Sequence, residues 1–559
     1  MKTRLSSLGA ATFVGALLTA SPSAAVADEA AAPGPAQPPS SEPAASPPAA
    51  SPPSAAPVAA PPAEPVVVDP ADRPAPAFVV VGPQRQYTPL LRYEPRGMLL
   101  QANFLFAGRA ERVDTFPVDR EGTRYGVGVT VAPMLRAGVT FDTGKLLSKV
   151  AIHAEYEHDL PTGYAAQKDS ADGSEMPGTA PIEQQLRKLY ARFSLGPWLH
   201  AGGGFMTNQF GLGLLANDGA QSNWTPGSAR FADNRGGDRV LRGFVGTGPL
   251  TDAKLTATVA FDQVQGDDVL LEGDSALQAI GTVSVGYGKP WGAGVFVVHR
   301  WQETPAAERT EVTVVDVAAR YARVMGSMSL SLEGELAVVV GETTLAPTPD
   351  FPVHDVLQVG GAIRAAARFE HGGGVVDFLY ASGDGNPDDK TQTAFRADPN
   401  FETGLLLYRH VLAAQTGRAT VTAGDLDLVG VPSPGLERVP TRGSPTNTVA
   451  VFPRGYVRPV DGLEIYGGPL LAWSAAPLSD PLNTRVGGGV PRNALGGAPG
   501  SFLGVELDLG VRFRMLFRGT ELTLGVEGAG LIPGEAFVKA DGSTMGALVG
   551  GRALLNYRL

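Results

Sequence analysis

The alternation of apolar and charged residues is clearest near the end of the chain. Between positions 503 and 513 every odd residue is apolar, whereas Glu506, Asp508 and Arg512 occupy even positions. Successive side chains of a β-strand point to opposite faces. The pattern therefore predicts a strand with one apolar face and one charged face, followed by two more strands of the same kind up to Leu559.

The same alternation recurs along most of the chain. It predicts about eighteen strands, although three of them, near residues 237–245, 310–321 and 446–457, change parity partway, as a β-bulge would cause. The predicted strands begin near Gly97, Thr123, Leu147, Gln185, Trp198, Gly237, Ala253, Ala276, Gly292, Thr310, Gly326, His354, Gly374, Thr446, Gly462, Ser501, Thr520 and Met545.

The lengths of the connections distinguish two β architectures. Every second link is a tight turn, such as 196–197 or 518–519, whereas the links between them are longer and polar, notably 159–183, 208–236 and 383–445. Short turns at one rim and long loops at the other are typical of transmembrane barrels. A soluble β-sandwich, the alternative, mixes its connection lengths. The fold class predicted is all-β, a transmembrane antiparallel barrel of about eighteen strands.

The beginning of the chain differs in composition from the rest. Residues 1–27 combine a basic start, an apolar segment and the small residues Ala25 and Ala27 before Asp28, as a secretory signal peptide does. Residues 28–77 consist mainly of Ala, Pro and Ser, and this composition predicts a disordered periplasmic linker, with a Pro-rich binding motif as the alternative. The barrel is expected to occupy residues 78–559.

Composition excludes several classes of function. The chain has no Cys, so disulfides, thiolate metal sites and a lipid-modified cysteine are excluded. The formal net charge of −11 argues against a nucleic-acid partner. The seven His residues show no metal-ligand spacing, and no phosphate-binding loop is present. We therefore expect no metal, cofactor or catalytic residue, and a barrel hydrolase is the least favoured function.

Two stretches resemble a known family. The sequence of residues 189–193, followed by 201–205 and 210–214, is similar to a strand pair of alginate-export-type outer-membrane porins, and 380–387 resembles a loop of the same group. The resemblance implies an 18-stranded channel for an anionic polysaccharide. The charged faces here carry both signs, whereas basic residues dominate the lumen of that family.

The charged faces of the predicted strands are expected to line the pore. Strand direction places most of the arginines toward the periplasm and the carboxylates nearer the middle or the outer half, and opposed charges of this kind favour polar solutes. The predicted pore-lining residues are Arg192, Glu333, Glu335, Arg364, Arg368, Glu506, Asp508, Arg512, Arg514 and Arg552.

The longest connection, 383–445, contains apolar residues that have no reason to remain in water. A long loop of this kind is usually functional or disordered, and the barrel lumen is the nearest place where its apolar side chains can be buried. We therefore expect this loop to fold inward and narrow the pore. The predicted constricting residues are Leu405, Leu406, Leu407, Tyr408, Val411 and Leu412.

Together these patterns predict a porin-like channel in the outer membrane of a Gram-negative bacterium, for diffusion or export of polar or anionic solutes. A structural or adhesive barrel acting through its long extracellular loops is the alternative. The expected partners are outer-membrane lipid, lipopolysaccharide and the barrel assembly machinery, which would recognise the last strand with Leu555, Tyr557 and Leu559. We expect a monomer.

Overall fold

The computed structural model describes residues 91–144, 150–160, 185–219, 227–232, 236–345, 351–386, 389–401, 403–432, 435–517 and 519–559. The predicted signal peptide, residues 1–27, and the predicted linker, 28–77, lie outside the described residues. The predicted barrel domain, 78–559, is described from Leu91 onward.

Eighteen long strands form one sheet within the described part of the chain. They are β1 (Leu99–Pro117), β2 (Arg124–Asp142), β3 (Val150–Leu160), β4 (Gln185–Leu195), β5 (Leu199–Thr207), β6 (Arg239–Leu250), β7 (Leu255–Gly266), β8 (Ser275–Val285), β9 (Trp291–Glu303), β10 (Arg309–Met325), β11 (Met328–Thr343), β12 (His354–Arg368), β13 (Gly372–Ala381), β14 (Thr448–Val460), β15 (Leu463–Trp473), β16 (Phe502–Phe517), β17 (Thr520–Pro533) and β18 (Leu548–Arg558).

Each strand pairs antiparallel with the next, and the sheet closes because β18 pairs with β1, from Leu105 opposite Arg558 to Val113 opposite Gly550. Closure leaves no unpaired edge among the long strands, a requirement for a sheet that crosses a bilayer. The predicted 18-stranded antiparallel barrel is confirmed, and every strand begins within three residues of its predicted start.

The connections sort into two sets, as predicted. Those after even-numbered strands are short: 143–149, 196–198, 251–254, 286–290, 326–327, 369–371, 461–462 and 518–519. Those after odd-numbered strands include the long segments 161–184, 208–238, 382–447 and 474–501. We call the two rims the short-connection end and the long-connection end. In bacterial barrels these are the periplasmic and extracellular ends.

Side chains alternate between the two faces of the sheet. Leu336 and Leu507 point outward and are 51% and 50% exposed, whereas their neighbours Glu335 and Glu506 point inward and are 4% and 0% exposed. An apolar outer face suits lipid, and a charged inner face suits a polar lumen. Within the described residues, no helix has the length and apolar character that crossing a membrane requires.

The remaining elements belong to the connections or their edges. Between β13 and β14 a π-helical turn, Leu407–Leu412, continues into α1 (Ala413–Ala423), and α2 (Leu426–Val429) follows. Between β15 and β16 lies α3 (Pro481–Val486). Short 3-10 turns span Pro95–Gly97, Leu436–Arg438 and Glu535–Phe537, and two short strands, Leu91–Tyr93 and Thr391–Gln392, pair with β1 and β12.

The apolar core lies inside the barrel. Its members include inward residues of the wall, such as Phe452 and Tyr466, and residues of two long connections, such as Leu214, Phe231 and Leu406. The lumen is therefore partly filled by the chain's own loops.

Candidate functional site: the barrel lumen

The segment 405–412 of the connection between β13 and β14 lies inside the barrel. Its six predicted residues, Leu405, Leu406, Leu407, Tyr408, Val411 and Leu412, are all buried. The Glu506 carboxylate of β16 accepts the backbone N–H groups of Leu405, Leu406 and Leu407 at 2.5, 2.8 and 2.7 Å. A carboxylate suits this place because the first N–H groups of a helix lack intrahelical acceptors.

Further contacts hold the same segment and α1 against the wall. The Tyr408 hydroxyl lies 2.7 Å from Thr448 Oγ1, and His410 Nε2 lies 3.1 Å from Glu111 Oε1. Arg418 of α1 donates to Asp119 in the connection between β1 and β2 at 2.8 Å. Burial raises the pKa of Asp119, but hydrogen bonds from Thr123 and Arg418 outweigh it and lower the pKa below its usual value. Asp119 therefore stays ionised and holds α1 at the long-connection end.

A second segment, from the connection between β5 and β6, also enters the lumen. The Glu335 carboxylate of β11 accepts the backbone N–H of Leu212, and that of Leu214 at 3.1 Å. The ends of this loop meet near Asp218 and Gly236, whose carbonyls both accept from Arg187 of β4.

Residues Gly227–Ala232 of this loop, which we call the strap, lie against the wall made by β12 to β18. The apolar runs of this loop are at most three residues long and lie among Gly, Asn, Asp and Ser, and sequence reasoning therefore missed its inward course. The signal that could have indicated it is the occurrence of Leu212, Leu214 and Phe231 in a connection predicted to be polar.

The predicted pore-lining residues all lie on the inward alternation of their strands. Four of the arginines form ion pairs with carboxylates of neighbouring strands: Arg364 with Asp377 at 2.7 Å, Arg512 with Glu464 at 3.4 Å, Arg514 with Glu521 at 2.5 Å and Arg552 with Glu527 at 2.6 Å. Arg368 donates to Ser331 Oγ at 2.7 Å. Glu333 and Asp508 are buried, and Arg192 alternates with outward Leu189 and Phe193.

These pairings change the electrostatic interpretation of the lumen. Sequence alone suggested opposed rows of charge, with pairing as the alternative for each residue. Arg364, Arg512, Arg514 and Arg552 are paired with carboxylates, so their fields largely cancel at a distance. Roles of these residues in solute passage stay predictions.

A cavity of about 390 Å³ remains between the inward segments and the wall of β8 to β12, toward the long-connection end. Apolar side chains, including Phe296 and Phe395, line part of it. Its charged lining consists of Asp238, Asp267, Asp268, Asp398, Arg300, Arg396, Arg438 and Arg442.

The charged groups of this cavity differ in their surroundings: some form ion pairs, whereas two acids lie near other carboxylates. Arg300 donates to Asp267 Oδ2 at 2.5 Å, and Arg396 lies 3.5 Å from Asp268. For Asp238 and Asp398, burial raises the pKa well above its usual value, and other carboxylates nearby raise it further. The cavity therefore presents ion pairs beside two acids that hold their protons more strongly than usual.

One Ser–His pair bears on the hydrolase alternative. His200 Nδ1 lies 2.8 Å from Ser194 Oγ, and His200 Nε2 lies 2.6 Å from the carbonyl oxygen of Gly248. Ser194 is buried in the wall near the short-connection end. Among the described residues, no group of three or more His, Asp or Glu side chains is placed to hold a metal ion.

The connection between β15 and β16 adds a titratable group outside the membrane. Asp480 caps α3 by accepting the backbone N–H of Asn483 at 2.8 Å, and burial raises the pKa of Asp480 to about 6. An acid whose folded pKa exceeds its unfolded value of about 4 binds more protons when folded, so local stability falls as pH rises from about 4 to about 6.

We therefore expect the α3 segment to be better protected at pH 4.5 than at pH 7. Hydrogen exchange of the Asn483 and Thr484 amides, corrected for intrinsic rates, measures this difference. In Asp480→Asn, which keeps a capping oxygen but does not titrate, the difference should vanish. A wild-type profile that is flat between the two pH values would contradict the expectation.

The fold and the lumen define a class of protein. A closed antiparallel sheet with an apolar outer face, a charged inner face and short connections at one rim is a large outer-membrane β-barrel of a Gram-negative bacterium. In this molecule two long connections fold into the lumen.

A scan against protein-family models finds no match. No curated protein matches the chain. Among solved structures, the chain is similar to OccK9 (OpdG) of Pseudomonas aeruginosa, at 11% identity and a TM-score of 0.46, covering 82% of this chain and 98% of that one. It is also similar to Acinetobacter baumannii OccAB1, at 8% identity and a TM-score of 0.45, covering 82% of this chain and 96% of that one. A third similar structure is the outer membrane protein OpdK of Pseudomonas aeruginosa, at 11% identity and a TM-score of 0.43, covering 82% of this chain and 99% of that one. The fold assignment therefore depends on this chain's own closed sheet.

Proposed function

We propose that this protein is an outer-membrane channel for small polar solutes. The observation that carries the proposal is the cavity of about 390 Å³ inside the barrel, which is lined by many apolar side chains together with carboxylates and guanidinium groups. A concave site of this volume, with an apolar lining and several fixed polar groups, suits a small molecule. The cavity lies toward the long-connection end, which is the extracellular end in bacterial barrels.

The inward segments argue for small solutes over polymers. Segment 405–412 and the strap are both packed through buried contacts against the wall that includes β14 and β16, and a polymer would need both to leave the lumen. The alginate-export-type resemblance would extend the solutes to an anionic polysaccharide, but Arg364, Arg512 and Arg552 of the described wall are each paired with a carboxylate, which weakens their attraction for one. Export of such a polymer stays a hypothesis that needs a second, open state.

The expected partners follow from the same geometry. The outward apolar residues would contact lipid, and the loops at the long-connection end would lie beside lipopolysaccharide. The β18 strand would be recognised by the assembly machinery. We propose a monomeric channel, since the sheet closes within one chain.

Measurements of solute flux through the purified protein test the proposed channel function. Purified barrel in liposomes should admit small sugars and amino acids, measured by osmotic swelling, and should exclude oligosaccharides of several residues. In planar bilayers the same protein should show discrete single-channel steps. An adhesive barrel would show neither, and swelling equal to that of protein-free liposomes would refute the channel.

The lumen arginines should influence ion selectivity. Changing Arg364, Arg368, Arg512 and Arg514 to Gln removes four positive charges and leaves the carboxylates beside them, so the reversal potential in a salt gradient should move toward cation preference. Arg309→Gln at the long-connection rim, where the side chain is 73% exposed, is the control. An unchanged reversal potential in the fourfold variant would exclude these groups from the ion path.

A further inference from the structure

The wall holds the strap mainly through hydrogen bonds to the strap's backbone, as a protein holds a bound peptide. Its carbonyl groups accept hydrogen bonds from four arginines on alternate strands of the wall. Arg368 of β12 donates to Gly227 at 3.1 Å, Arg454 of β14 to Ala229 at 3.0 Å, Arg512 of β16 to Arg230 at 3.1 Å and Arg552 of β18 to Phe231 at 2.7 Å.

The same wall also recognises an N–H group and a side chain of the strap. The Glu464 carboxylate accepts the Gly227 N–H at 2.8 Å. The Phe231 ring lies between Phe452 and Tyr466, with centroid distances of 6.1 and 5.0 Å. Aromatic rings at such distances attract each other beyond their area of contact. The wall therefore provides guanidinium donors for carbonyl groups, a carboxylate acceptor for an N–H group and an aromatic slot.

The arginines of this surface are also held by contacts that do not involve the strap. Arg454, Arg512 and Arg552 are 5%, 3% and 3% exposed. Each also pairs with a carboxylate of the wall, namely Asp377, Glu464 and Glu527 respectively. Two of the guanidinium groups also stack on the slot, Arg454 over Phe452 at 4.5 Å and Arg512 over Tyr466 at 3.9 Å. A site that is fixed before its ligand arrives loses little entropy on binding.

The ends of the loop that carries the strap are fixed separately from the strap, so the strap can leave the wall while these ends stay in place. The ends of its loop meet at Asp218 and Gly236, where the buried Arg187 holds both carbonyls. Gly227, at the start of the strap, has a φ of +73°, and a Cβ there would lie 2.7 Å from the Tyr456 hydroxyl. Only glycine fits this turn without strain.

We propose that the wall of β12 to β18 is a binding site for a short peptide with an aromatic residue, and that the strap occupies it as an internal ligand. The strap then acts as an autoinhibitory closure of the lumen, and a peptide in trans that takes its place keeps the passage blocked. The closure, but not the peptide site, depends on the proposed channel function.

The test uses a substitution that displaces the strap from the wall, followed by addition of a free peptide with the strap sequence. Phe231→Ser removes the aromatic anchor without changing the wall, and single-channel conductance should rise several-fold. Addition of the free peptide Gly-Ser-Ala-Arg-Phe-Ala should return the conductance to the wild-type level in a dose-dependent manner. The peptide with Ser in place of Phe is the matched control and should have no effect. Gly227→Val, which displaces the strap at its other end, is an independent variant with the same expected result.

Calorimetric titration of the same peptides into the detergent-solubilised Phe231→Ser barrel measures binding without conductance. Binding by the Phe peptide with no current in any variant would refute the proposed channel but keep the peptide site. Wild-type conductance in both folded variants would overturn the closure. An open variant to which neither peptide binds would overturn the peptide site. Heat-modifiable migration in gels verifies that each variant has folded.

Discussion

Removal of residues 405–429 from the lumen should raise single-channel conductance several-fold. The segment carries six buried residues that we expect to narrow the pore, and Glu506 fixes its start through three N–H groups. Replacing it by a Gly-Ser linker leaves all strands and their registers unchanged, so the barrel should still assemble. Conductance in planar bilayers and heat-modifiable migration in gels measure the two properties separately.

A single substitution tests the same anchor with less disturbance. Glu506→Gln keeps the shape of the side chain but supplies one amide oxygen where the carboxylate accepted three N–H groups. Donors left unpaired inside the barrel are costly, so the segment should leave its place part of the time and produce larger, fluctuating currents. Glu342→Gln, at an exposed position near the end of β11, is the control. A folded deletion variant with wild-type conductance would show that this segment does not constrict the lumen.

The wall of the barrel could be predicted from sequence because each of its strands carries its own evidence. Alternation around Leu507 or Leu336 is a local property, and the sorting of connections by length depends only on where strands begin and end. The inward course of segment 405–412 could also be anticipated, because a run of apolar residues in a polar connection must be buried somewhere.

The contacts inside the lumen could not be predicted, because they depend on strand register and on loops. Arg552 meets Glu527 only because these residues are directly opposite in the pairing of β17 with β18. Arg454 lies on β14, whose register shifts between Val457 and Val460, and the parity of this strand could not be followed in the sequence. The strap contacts the wall mainly through backbone carbonyls, which have no signature in the sequence.

The largest effect on stability should come from charges placed on the outer face. Val359 lies near the middle of β12 on the same face as Leu357 and Ile363, which are 50% and 51% exposed, and Leu507 is 50% exposed. An arginine facing lipid near the bilayer midplane costs about 2–4 kcal/mol, and less near the interfaces. Val359→Arg and Leu507→Arg should therefore each lower the free energy of unfolding by about this amount.

The neighbouring residue supplies the control. Gln358 points inward and lines the cavity, so Gln358→Arg introduces the same side chain one position away but into a space that several carboxylates line. Its effect on stability should be small, because the guanidinium group stays hydrated or pairs with the carboxylates that line the cavity. Reversible urea unfolding of the barrel in lipid vesicles compares the three variants with the wild type. If Gln358→Arg and Val359→Arg lowered the free energy of unfolding equally, the inner and outer faces of β12 would have been assigned incorrectly. A lipid-facing apolar belt requires that only the substitutions at the outward positions lower it.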